Sequence, residues 1–183
     1  MNVLDPEIET DDEQSEPSFE RVFAAEYGPL TALALALTGE RGSAEDLVQE
    51  AFYRLFRHWN RVSRYERPGA WVRRVLINLA TSRRRRVLRE ALIMARLRHS
   101  TGFDEGSAPL PGDSAEFWSA VRRLPRRQAQ VLILYYAEDR PVAEIAGILG
   151  LAEGTIRAQL HSGRRVLAAR LRMNPGPEDE ETS

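Results

Sequence analysis

The side chains best suited to recognition chemistry lie late in the chain, on a stretch that reads as one helix from about Glu153 to Leu171. They are Arg157, Ala158, Gln159, His161, Ser162, Arg164 and Arg165. Arginine pairs with guanine, glutamine pairs with adenine, and a serine hydroxyl or a helix N-terminus holds phosphate. A recognition helix reads bases with its N-terminal part, and its later residues drift back to the backbone. Arg157 and Gln159 therefore suit bases, while Arg164 and Arg165 suit phosphate. His161 could do either. A second candidate is the run Arg83-Arg84-Arg85-Arg86, which fits a phosphate backbone or a plain solvated cluster. A third is acidic. Asp46, Gln49 and Glu50 lie opposite an apolar stripe, free to meet a basic partner or only water. Catalysis finds no comparable group. There is no cysteine, and His58, His99 and His161 lack ligand spacing. No nucleophile–base pair or phosphate loop is present, so no catalytic residue, metal, cofactor or small-molecule substrate is expected.

Charge places these groups in two blocks. The 183 residues carry a net charge of −1, but the balance is uneven. Residues 19–100 hold 16 arginines against 8 acids, and 121–173 hold 10 against 4. Between them, 101–120 have four acids and no base, and residues 1–18 carry seven acids. Two basic blocks around an acidic connector suggest two modules facing a polyanion. Every basic residue is arginine, which favours bidentate phosphate and guanine contacts and is equally the mark of a GC-rich genome.

Helices must position all of this. Ser18 caps a helix from Phe19 that stops near Gly39. Ser43, with Asp46 three residues on, reads as a capping box opening the next. Ala44, Leu47, Val48, Ala51, Phe52, Leu55, Phe56 and Trp59 fall on one face of that helix. A loop over Asn60–Arg67 leads to Pro68, which fits a helical first turn. That helix carries Trp71, Val72, Val75, Leu76 and Leu79 inward and extends toward Arg98. Trp59, Trp71, Phe52 and Phe56 are expected in the core. Residues 99–113 read as a flexible linker. Helices then hold Phe117, Trp118, Val121 and Leu124, and after Pro125, Val131, Leu132 and Leu134. From Pro141, a short helix, a turn at Gly150-Leu151 and the long last helix have the spacing of a helix-turn-helix, with Ala146 small at the crossing. No strand alternation appears. The expected fold is all-α, with two small helical domains at 18–98 and 114–173, and disordered acidic tails at 1–17 and 174–183. The longest apolar run, Leu30 to Leu37, is far short of the ~18 residues of a membrane span, and the acidic start is unlike a signal peptide.

Residues 19–173 resemble a bacterial RNA polymerase sigma factor of the small extracytoplasmic-function group. Ala44-Glu45-Asp46-Leu47-Val48-Gln49-Glu50-Ala51-Phe52 is similar to the region 2 motif that docks on the polymerase β′ coiled coil. Pro68-Gly69-Ala70-Trp71-Val72-Arg73-Arg74-Val75-Leu76-Ile77-Asn78-Leu79-Ala80 is similar to the signature of the −10 reading region. Leu124-Pro125-Arg126-Arg127-Gln128, Glu144-Ile145-Ala146 and Gly154-Thr155-Ile156-Arg157 look like region 4, which reads the −35 element. The resemblance implies docking on core polymerase, β′ and β, through Asp46, Leu47, Gln49, Glu50 and Phe52. It implies a −10 contact set of Ser63, Arg64, Tyr65, Arg73, Arg74, Asn78 and Arg83 to Arg86. The loop Val62–Arg67 and Asn78 would hold flipped bases, with Tyr65 stacking. Asn78 and Tyr65 are equally at home as solvated residues. The −35 set becomes Thr155, Arg157, Ala158, Gln159, His161, Ser162, Arg164 and Arg165. An anti-sigma factor that clamps the modules closed is a further implied partner. One departure is Ala152 before the recognition helix, where the family often has Ser or Pro, because alanine cannot cap. The expected function is non-catalytic: a cytoplasmic factor that binds polymerase, reads −10 and −35 elements and aids melting. The alternative is a helix-turn-helix regulator that binds DNA alone.

Overall fold

The computed structural model describes residues 18–97 and 114–171. Among them it is helical throughout, without strands, as the apolar spacing requires. The elements are α1 Phe19–Thr38, α2 Arg41–Arg57, α3 Trp59–Val62, α4 Pro68–Leu97, α5 Ser114–Arg122, α6 Arg126–Tyr136, α7 Val142–Leu149 and α8 Glu153–Leu171. The expected tails and linker lie outside the described residues.

Local chemistry sets the ends. Ser18 accepts from the Arg21 N–H at 3.2 Å to cap α1, and Gly39, at φ 74°, closes it through a bond to the Leu35 carbonyl. The start of α2 differs from expectation. Glu40, not Ser43, is its N-cap, and its carboxylate accepts from the Ser43 N–H at 3.1 Å. A carboxylate there also complements the positive end of the helix. The Ser43 hydroxyl donates to Glu40 and accepts from Arg83 Nη2 at 2.7 Å. These contacts hold the Glu40 carboxyl below the usual carboxylate range. The expected Asn60–Arg67 loop is also partly helical, because α3 occupies its first residues. Leu124 lies just past α5 rather than on it, fully buried in the turn before α6.

The core runs through both halves of the chain. Leu30, Leu33, Val48, Leu55, Val72 and Leu76 fill the space among α1, α2 and α4. Val121, Leu132, Leu134, Ile145, Ile156 and Leu167 fill that among α5 to α8. The two units also pack on each other, α4 against α7 and α1 against α5 and α6. Phe56 departs from the expected core. It is 66% exposed, because α1 covers α2 only as far as Phe19 and Phe23 reach.

At Gly163, α8 packs tightly on α6. A Cβ there would lie 2.7 Å from Leu132 Cδ1. Gly163→Val should therefore overpack this crossing and cost about 1–3 kcal/mol. Urea unfolding would show a lowered midpoint with an unchanged slope, and Gly163→Ala should lose less.

Candidate nucleic-acid interface

The reading helix is set by its turn. Gly150 adopts φ 64°, which glycine reaches without strain, and its N–H bonds the Ala146 carbonyl to end α7. Ala152 offers only its carbonyl, which accepts from Thr155 at 2.9 Å and Ile156 at 3.2 Å. Glu153 sits in the first turn of α8. Ile156 and Leu160 are buried against α6 and α7, which turns Thr155, Arg157, Ala158, His161 and Arg165 to solvent. Gln159 is half-buried. Arg157 rests against Glu153 at 2.8 Å on an exposed face, where an ion pair contributes little and yields readily to a base edge.

Two members of the expected −35 set serve the packing of α6. Ser162 Oγ accepts from Gln128 Nε2 at 3.0 Å. Arg164 Nε donates to the Tyr136 hydroxyl at 2.9 Å, and its guanidinium lies 5.2 Å from the Tyr135 ring centroid. The outward face is therefore carried by Thr155, Arg157, Ala158, His161 and Arg165, and Arg164 braces it from the side.

The expected −10 residues lie along α3 to α4. Arg64, Arg74, Asn78, Arg84, Arg85 and Arg86 are exposed. Ser63 and Tyr65 are half-buried, and Tyr65 packs on the core with Arg61 over its ring at 5.9 Å. Arg83 turns back to α2, bonding Ser43 and lying 3.6 Å from Asp46. Arg74 lies against the Gly150 turn, where an added Cβ would strike its guanidinium.

Arg73 corrects the expectation. It is 3% exposed and bridges the two units, pairing with Glu26 of α1 at 2.5 Å and with Glu138 after α6 at 3.0 Å. Helical phase explains this, since Arg73 follows the buried Val72 on the inner side of α4 while Arg74 faces out. Burial works against the Arg73 charge, and the two carboxylates overcome it and raise its pKa. Burial pushes the Glu138 carboxyl above the usual carboxylate range, and Arg73 and Arg140 pull against that shift. Around this latch Arg140 lies 3.1 Å and Arg67 3.3 Å from Glu144. In this arrangement Arg73 is closed to phosphate.

The expected polymerase face divides in the same way. Asp46 and Gln49 are exposed, and Glu50 is half-buried and pairs with Arg54 at 2.7 Å. Leu47 and Phe52 are 6% and 5% exposed and belong to the core. The spacing that placed them on the apolar stripe of α2 also denies them to a partner. Sequence reasoning missed the aromatic surface beside the carboxylates: Phe23, Tyr27 and Phe56 are exposed, with Phe23 and Tyr27 ring centroids 5.3 Å apart. Their four-residue spacing along α1 was a visible signal, but their exposure depends on how far α2 covers them.

This arrangement matches known proteins. Residues 22–90 match the family model described as Sigma-70 region 2, and 114–167 match Sigma-70, region 4. A Xanthomonas campestris pv. campestris protein named "Probable RNA polymerase sigma factor RfaY" is 29% identical over 80% of this chain, which spans 38% of that protein's length. The ECF RNA polymerase sigma factor EcfG of Rhodopseudomonas palustris is 31% identical, with 82% of each protein covered. Among solved structures, the sigma factor RpoE from Bartonella quintana, in complex with the anti-sigma factor NepR, matches with a TM-score of 0.69 at 24% identity, over 86% of this chain and 98% of that one. With both regions in order around the helices described above, the chain belongs to the extracytoplasmic-function group of RNA polymerase sigma factors.

Proposed function

We propose that this chain binds core RNA polymerase, through β′ and β, and directs it to promoters by reading −10 and −35 elements and aiding melting. The observation that carries this reading is the outward face of α8, Thr155, Arg157, Ala158, His161 and Arg165, seated on buried Ile156 and Leu160. Asp46 and Gln49, exposed on α2, face the polymerase. Arg74, Asn78 and Arg84 to Arg86 face the −10 region. The chain acts in the cytoplasm and performs no catalysis. Among the described residues no helix is long and apolar enough to cross a membrane. Run-off transcription tests the reading: promoter-specific transcripts should need both this chain and core polymerase. Specific binding to promoter DNA without polymerase would instead favour a stand-alone regulator.

Distance adds a step. Elements about 25 base pairs apart lie roughly 85 Å apart at ~3.4 Å per pair. A compact chain of this size has a radius of gyration of roughly 16 Å. The two packed units cannot read both elements at once, so they separate on the promoter and Arg73 is released. An anti-sigma factor would then act by holding them packed. The Bartonella structural neighbour is solved with an anti-sigma factor, which supports a partner of that kind.

Base reading and backbone holding separate in a randomised −35 library. Arg157→Ala should change sequence preference, by ~1–3 kcal/mol for a bidentate contact. Arg165→Ala should weaken all sequences alike and lower the salt slope by about one. A shifted preference for Arg165→Ala with a uniform loss for Arg157→Ala would mean that α8 docks in another register.

A further inference from the structure

A cleft of about 580 Å³ lies where α4 meets α5, α6 and the end of α8, within the roughly 300–1,000 Å³ of small-molecule sites. Six arginines line it: Arg84 and Arg85 of α4, Arg122 and Arg123 around the end of α5, Arg126 of α6 and Arg170 of α8. Among the described residues no carboxylate lines it. A second cleft between the units, around the Arg73 latch, is built the opposite way, because its Arg67, Arg73 and Arg140 are each held by a carboxylate. Arg122 and Arg123 have interactions of their own, but Arg84, Arg85, Arg126 and Arg170 have no carboxylate partner among the described residues. Burial lowers the Arg126 pKa, and Arg127 and Arg85 push it the same way. Arg85 and Arg126 belong to different units. Packing the units therefore gathers unpaired like charges in one space, and an anion between them would turn that repulsion into attraction.

The arrangement narrows the chemistry of the anion. Guanidinium forks suit carboxylate and phosphate oxygens alike. Here the four guanidiniums stand on three helices around one space, so they match oxygens presented in several directions from a short chain. Linked tetrahedral phosphates present oxygens in that way, and a planar carboxylate does not. Leu88 and Leu124 add an apolar wall. We propose that this cleft binds a small anion of linked phosphates, inorganic or the phosphate chain of a nucleotide, held by Arg84 and Arg85 from one unit and Arg126 and Arg170 from the other. Because it touches both units, the anion favours their packed arrangement. It also competes with promoter DNA for Arg84 and Arg85, and this consequence alone rests on the function proposed above.

Calorimetric titration of the full chain with sodium tripolyphosphate at low salt, without DNA or polymerase, tests the site. One anion should bind per chain. Arg85→Ala/Arg126→Ala should weaken binding by about tenfold for each guanidinium lost, with helical content kept. Arg41→Ala/Arg54→Ala removes the same charge from the surface of α2 and should change binding by less than about threefold. Equal losses in the two variants would overturn the site in favour of general charge attraction. Citrate binding as tightly as tripolyphosphate would overturn the phosphate assignment. Adenosine triphosphate distinguishes the sources, and both of its outcomes support the site. Tighter binding than tripolyphosphate identifies a nucleotide with its base on Leu88 and Leu124, and equal or weaker binding identifies the phosphate chain alone. The second readout is amide exchange around the Gln130–Thr81 hydrogen bond, 3.0 Å long, which joins the units at the cleft. Bound tripolyphosphate should slow exchange on both α4 and α6, and slowing on one of them alone would overturn the bridge. A duplex oligonucleotide that binds through Arg85 and Arg126 where tripolyphosphate does not would overturn the proposal in favour of a nucleic-acid surface. These measurements use the chain alone, so they stand or fall separately from polymerase binding and promoter reading.

Discussion

Arg73→Met should part the two helical units before either unfolds. The side chains of Arg73 and Glu138 are 4% and 3% exposed, so removing the guanidinium leaves a buried carboxylate with Arg140, at 3.7 Å, as its remaining cationic partner among the described residues and with the Glu26 carboxylate nearby. Breaking a buried pair from one side costs about 3–5 kcal/mol. That cost falls on the contact between units, because Glu26 belongs to α1 and Glu138 to the turn after α6. Hydrogen exchange should speed up on the facing surfaces of α1, α4, α6 and α7, while the buried amides around Leu33 and Leu132 stay protected. The pH dependence has a definite sign. A carboxyl whose folded pKa lies above its unfolded value stabilises the packed form at low pH, and that contribution is lost as pH rises through the folded pKa. Glu138 is already raised by burial, and losing Arg73 raises it further. The variant should therefore be more closed in mild acid and more open toward neutrality. Exchange that rises uniformly through both cores would refute a latch and mark Arg73 as a general stability residue.

Reversing charge on α2 with Asp46→Arg and Glu50→Arg should remove core polymerase binding while helical content is kept. Opposing like charges at an interface costs several kcal/mol, on the order of a hundredfold or more in affinity. Both side chains have neighbours of their own, Asp46 with Arg83 and Glu50 with Arg54, so Arg83→Ala and Arg54→Ala serve as controls. These surface pairs contribute little to stability, and the controls should retain binding. A pull-down in which the double reversal still binds core polymerase would move the docking surface elsewhere. The exposed aromatics Phe23, Tyr27 and Phe56 would then be the first place to look, through Phe56→Ser.

Much of this protein was legible from residue spacing. The apolar period of α2 and α4, the prolines that open α4 and α7 and the glycines that close α1 and α7 are properties of neighbouring residues, and they placed those helices. The helix-turn-helix followed for the same reason: Ile145, Leu149, Ile156 and Leu160 have one arrangement that buries them all. What spacing could not supply is which surface of a helix meets the other unit. Phe56 left in solvent and Gly163 pressed on Leu132 each depend on a neighbour outside their own helix. Arg73 is the clearest case. It sits beside Arg74 in a basic signature, and sequence chemistry treats the two alike. Only tertiary structure separates them, because packing α4 on α1 and α7 carries one guanidinium into a desolvated space where two carboxylates converge and leaves the other outside. Burial and partner geometry are set by residues 47 and 65 positions away in the chain, Glu26 and Glu138, and no local pattern encodes such distances.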